Sequence, residues 1–149
     1  MDNELKATIE GDSTGYLLYH LTMLMQRKMK KKLDKLDITH TQFVILASLH
    51  ILSEKGNSVT QIEIANQSRM DKMMVSIVLR TLQKKGLVTR QEHATDTRAK
   101  TTNITNEGEI LFKKAFKIVK EVEASFFACL ENDAKIFNGT IKTLISNNQ

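Results

Sequence analysis

Proline and tryptophan are absent from the 149 residues, cysteine occurs once, and aromatic residues make up only 5%. Without proline, helices can run long without a break. One cysteine forms no internal disulfide and leaves no Cys-x-x-Cys pair for structural zinc. A disulfide-stapled fold is therefore excluded, and a reducing cytoplasm is the expected location. No apolar run approaches the ~20 residues of a membrane helix, so no membrane partner is expected. The polar start Met1-Asp2-Asn3-Glu4 is expected to carry no signal peptide. No glycine-rich phosphate loop, nucleophile elbow or paired-carboxylate motif stands out. His20, His40, His50 and His93 include no i, i+4 pair. An enzyme, a metal site and a cofactor are accordingly not expected.

Cations are plentiful. The chain carries a net charge of +5, with 41% hydrophobic and 26% charged residues, the balance of a globular protein. Its length fits a single domain, residues 1–149. Between Arg69 and Lys100 stand eight basic and three acidic residues, and four of the five arginines lie there. Arginine has the planar donor fork that suits phosphates and guanine edges. A second basic run, Arg27–Lys32, reads either as a solvated face or as a further contact to DNA backbone.

Apolar spacing places the helices. The first dozen residues are expected to be mobile. Asp12 or Ser13 then caps a helix to about Leu36. Thr39-His40-Thr41-Gln42 and Thr60-Gln61-Ile62-Glu63 both read as capping boxes. The second opens a short helix with Ile62, Ala65 and Ile64 as its inward residues. After a turn, Asp71 caps a helix to Lys85, and Gly86 supplies a left-handed stop. Leu87–Gln91 and Thr101–Ile104 read as strands of a hairpin with a long loop. Thr105 caps a long helix to about Leu130, and Asn132 or Asp133 opens the last one. Short helix, tight turn, helix and hairpin make a winged helix-turn-helix. The fold class is thus mainly α with a small β-hairpin wing. A DNA-binding lobe over about 38–104 is flanked by helices (about 13–36 and 105–149) whose surplus apolar stripes suit dimerisation.

In the helix from Asp71, Val75, Val78, Leu79 and Leu82 form a core stripe. The other side carries Lys72, Met73, Ser76, Ile77, Arg80 and Lys84. Cations and hydroxyls can reach phosphates, Arg80 can reach guanine, and Met73 or Ile77 can touch thymine methyls.

The run Lys72-Met73-Met74-Val75-Ser76, then Leu82 to Arg90, then Asp96-Thr97-Arg98 and Ile104-Thr105-Asn106-Glu107-Gly108 resembles the signature of MarR-type transcriptional regulators. The resemblance runs from about Gly15 to the last helix. It implies a homodimer that binds double-stranded DNA at a pseudo-palindromic operator, usually as a repressor, with release by a small-molecule effector in many members. It places the helix from Asp71 in the major groove and the wing in the minor groove. Arg98 and Lys100 are then wing contacts to DNA, while Asp96 steadies Arg90 or Arg98 by a charge-assisted hydrogen bond. The chain departs from the pattern at Met74 and Ile77, where many members have threonine and arginine, and at Thr41, where many have proline. Ile77 points to a more apolar contact and A/T-rich sites.

Cys129, near the end of a long apolar helix, reads as a small buried hydrophobe rather than a redox centre. Tyr16, Tyr19, His20, Met23, His40 and Phe43 are the candidate lining of an effector pocket between the dimer helices and the DNA-binding lobe. The alternative to a DNA-binding repressor is a winged-helix module, such as an anti-repressor, that binds protein and has no operator of its own.

Overall fold

Short polar side chains decide where the central helices begin. The computed structural model describes residues 2–11, 13–56, 58–92 and 100–149. Its elements are α1 (Asp2–Glu10), α2 (Thr14–Leu33), α3 (His40–Ser53), β1 (Val59–Thr60), α4 (Gln61–Ser68), α5 (Lys72–Lys84), β2 (Val88–Glu92), β3 (Lys100–Ile104), α6 (Asn106–Phe126) and α7 (Ala134–Asn147). Thr39 Oγ1 accepts from the Gln42 amide at 3.1 Å, and Gln42 Oε1 accepts from the Thr39 amide at 3.2 Å. Thr60 and Glu63 repeat this reciprocal cap at α4. Asp71 accepts from the Met74 amide at 2.8 Å, and Thr105 from the Gly108 amide at 3.1 Å. Each cap contributes about 1 kcal/mol. All four starts are the ones expected from the sequence.

Helix α3 lies at the centre. Its Phe43, Ile45, Leu46 and Leu49 are buried, and α2, α4, α5 and α6 all pack on it. From these come Met29 and Leu33, Ile64 and Ala65, the stripe Val75, Val78, Leu79 and Leu82, and Phe112, Ala115, Val119 and Val122. Fully burying one such side chain contributes roughly 1.5–3 kcal/mol. A polar contact adds direction to the α3–α6 packing: His50 Nδ1 lies 3.0 Å from the Glu109 carboxylate, and its ring is 4.7 Å from that of Phe112.

The hairpin pairs antiparallel from Val88 with Ile104 to Glu92 with Lys100. The short β1 adds a third strand, Val59 opposite Thr102, giving the order β1-β3-β2. Two glycines fix its attachment. Gly86 turns the chain out of α5 with φ +72°, and at Gly108 a Cβ would meet the Leu87 carbonyl oxygen at 2.2 Å. Thr105 completes the joint. Its hydroxyl donates to the Gly86 carbonyl at 2.8 Å, and its amide donates to that of Leu87 at 3.0 Å. The Thr-x-x-Gly motif is therefore a clamp between the hairpin and α6.

Four expectations need correction. The opening residues form α1 instead of a mobile tail, with Asp2 and Glu4 in the first turn, where the helix dipole favours acids. Ile62 is 54% exposed, because the inward stripe of α4 runs through Gln61, Ile64, Ala65 and Ser68, and Ile62 sits on the far side. Helix α6 ends at Phe126, and Ala128–Asp133 form a 3-10 segment broken by Glu131 at φ 44°. Cys129 lies in that segment and is exposed, so it is not a buried hydrophobe. Strand β1, absent from the sequence reading, is too short to show an alternating pattern. Among the described residues no helix is long and apolar enough to cross a membrane.

Candidate nucleic-acid interface

The turn between α4 and α5 is three residues, Arg69-Met70-Asp71. Arg69 takes the left-handed conformation, φ 58°. This sharp reversal lets α5 bury Val75 and Leu79 fully while its other side faces out. Met73 is 75% exposed and Ile77 53%. Lys72, Arg80 and Lys84 are also exposed, and Ser76 is half-buried. The six helix residues singled out from the sequence thus share one outward face. Large apolar side chains left in water between cations are unusual unless something covers them.

A groove of about 380 Å³ lies beside the start of this helix. Lys72 and Ser76 of α5, Arg90 of β2 and Lys100 of β3 meet there with Thr60 and Gln61 at the start of α4. Among the described residues three cations and two hydroxyls line it, with no carboxylate. That donor set matches phosphate oxygens. Ile62 completes the lining, and Glu63, one residue further on, spends its charge elsewhere: hydrogen bonds from the Thr60 amide and hydroxyl hold its carboxyl below the usual range. Arg80, Met73, Ile77 and Lys84 lie along α5 outside the groove lining.

Gln61 was missed by the sequence reading. Its Nε2 donates to the Lys72 carbonyl at 3.0 Å, and its Oε1 accepts from Arg90 Nη2 at 3.1 Å. One amide therefore ties the hairpin to the first turn of α5. Arg90 Nε is buried without a hydrogen-bond partner among the described residues. Gln61 belongs to a capping box, which explained its position but concealed its side-chain role. Asp96 and Arg98, expected as wing support and wing contact, lie outside the described residues.

The six pocket candidates fall into separate groups. Tyr16 and His20 make a ring contact on α2 at 6.2 Å, with Tyr19 and Met23 exposed beside them. His40 stacks on Phe43 at 6.1 Å at the start of α3. Burial lowers the His40 pKa, against an upward pull from Glu123. Among the described residues no ring contact joins the two groups.

The ArnR1-like, winged-helix domain family matches residues 34–123. The uncharacterized HTH-type transcriptional regulator YdcH of Bacillus subtilis is 37% identical over 127 residues, covering 85% of this chain and 86% of that protein. The S. aureus MepR–DNA complex aligns with a TM-score of 0.84 at 28% identity, covering 91% of this chain and 98% of that one. At 22% identity, a mutant MarR of E. coli complexed with operator DNA shares the fold, with a TM-score of 0.78 over 96% of both chains.

Proposed function

The chain belongs to the MarR-type winged-helix transcriptional regulators, a DNA-binding family and not one of enzymes, and from that premise we propose that it is a homodimeric repressor of a pseudo-palindromic operator. The observation that supports this reading is the cationic groove beside the outward face of α5, lined by no carboxylate among the described residues. Helix α5 enters the major groove, where Arg80 reads guanine and Met73 and Ile77 meet thymine methyls. Lys72, Ser76 and Lys84 hold the backbone, and Lys100 does so from the wing, joined there by Arg98. Gln61 and Arg90 keep wing and helix in register. The helices over about 13–36 and 105–149 form the dimer. Their support is exposed apolar surface, with Leu17, Leu18 and Tyr19 on α2 and Ile136, Leu144 and Ile145 on α7 all at least half exposed. A small ligand that favours a different spacing of the two lobes releases the DNA. The protein acts in the cytoplasm, where the operator is.

Selection from random duplexes at near-physiological salt tests the proposal. One inverted repeat with half-sites about 10 base pairs apart is the expected result. Arg80→Ala then costs about 1–3 kcal/mol and relaxes the preference at one position, whereas Lys84→Ala weakens binding uniformly and lowers the salt slope by about 1. Salt-sensitive binding with no enriched motif overturns the operator reading and directs attention to a protein partner.

A further inference from the structure

The outward face of α5 leaves a reactive side chain in water. Met73 is 75% exposed, more than any other large apolar side chain among the described residues. Of the other described methionines, Met29 is 1% exposed, and Met25 and Met70 are half-buried. Met23 and Met74 are 38% and 44% exposed, and Met23 lies on α2, whose apolar surface the proposed dimer covers. A thioether is a soft nucleophile whose lone pairs stay free, whereas the lysine amines of the same face are protonated. Met73 stands one turn before Ile77, and the two form an apolar patch between Lys72 and Arg80. Cys129, the one thiol, is exposed in the broken segment after α6 and not on this helix.

We propose that Met73 is an oxidation site, where an oxidant of the hypochlorous acid class makes the sulfoxide and thereby changes the base that α5 accepts. The sulfur gives up an electron pair. In the net reaction an S–O bond forms, the O–Cl bond breaks, and chloride and a proton leave. Sulfur is oxidised by two electrons, chlorine is reduced by two, and no further reactant is needed. The product exchanges an apolar tip for a strong hydrogen-bond acceptor. Thymine offers the major groove a methyl group and the O4 acceptor, so against thymine the new oxygen is buried without a donor. Cytosine, a pyrimidine in the same place, offers the N4 amino donor instead. One side chain therefore favours thymine when reduced and cytosine when oxidised. Bound DNA covers Met73, so the reaction belongs to the free chain. The change of base, though not the oxidation itself, rests on the operator reading above.

Treatment of the full chain with a few equivalents of hypochlorous acid, followed by peptide mass spectrometry, tests the site. Met73 should be oxidised ahead of Met74 and Met23, Met29 should be spared, and bound operator should protect Met73. Affinity is then measured on the selected duplex and on duplexes in which each thymine in turn becomes cytosine, with guanine opposite. Oxidation should weaken binding to the selected duplex roughly tenfold. One thymine-to-cytosine change should recover part of that loss. In Met73→Leu, which has no sulfur at this position, treatment should leave the affinity at that variant's own untreated value. Circular dichroism before and after treatment should show the same helix content. Oxidation of Met73 no faster than of Met74, an equal loss on treatment in Met73→Leu, loss of helix, or a loss uniform across all the duplexes each overturns the inference. A chain that selects no operator loses the operator reading, and the peptide map still decides the oxidation site. A chain that selects an operator while Met73 resists the oxidant keeps that reading and loses the site.

Discussion

Helices α5 and α7 are 13 and 14 residues long, and each carries one apolar stripe. In α5 the stripe Val75, Val78, Leu79 and Leu82 is at most 8% exposed. In α7 no residue is buried, and Ile136 is 71% exposed. The difference lies in what each stripe meets. Helix α5 is delivered onto α3 by a three-residue turn, so its stripe closes the lobe's own core. Helix α7 follows the broken segment around Glu131 and packs mainly on that segment. Its stripe is left exposed, and in the dimer proposed above a second copy of the chain would cover it. Amphipathic spacing shows that a face wants cover but not where the cover comes from.

Folding stability separates the two helices most sharply in their stripes. Leu79→Ala should cost about 2–5 kcal/mol, since the side chain is fully buried. Denaturant unfolding measures this, and a loss under about 1 kcal/mol would mean that α5 is as unfinished as α7. Ile145→Asp should leave the unfolding of the single chain within about 0.5 kcal/mol of wild type. Sedimentation should nevertheless show the dimer dissociating. A variant that stays dimeric would put the interface elsewhere.

A smaller contrast lies at the helix starts. Asp71 has extended backbone angles, and its carboxylate accepts from Met74, so Asp71→Ala should cost about 1 kcal/mol. Asp133 stands before α7 with helical angles and no side-chain cap. Asp133→Ala should therefore leave the unfolding midpoint unchanged. Equal effects at the two positions would erase this distinction.

The outward face of α5 was legible because helix periodicity and a single cap set which way each side chain points. Lys72, Met73, Ser76, Ile77, Arg80 and Lys84 followed from counting. The groove was not legible. It needs Lys100 from β3 and Arg90 from β2 beside Thr60 and Gln61, and the Arg90–Gln61 contact spans 29 residues. Ile62 and Cys129 were misplaced for a related reason. Apolar character alone does not say which side of a short helix turns inward, or where a long helix stops.

Interactions that close within one turn of chain could be read from residue order alone. Thr39, Thr60, Asp71 and Thr105 each cap through an amide three residues away. Gly86 is needed where only a positive φ ends α5 without strain. Gly108 shows the limit. Its place in the Thr-x-x-Gly motif was visible, but its necessity comes from the Leu87 carbonyl packed against it. The Gln61 bridge between hairpin and helix and the pairing of β1 with β3 arise the same way. Each depends on segments brought together by burial of the α3 core, and that burial has no preferred separation along the chain.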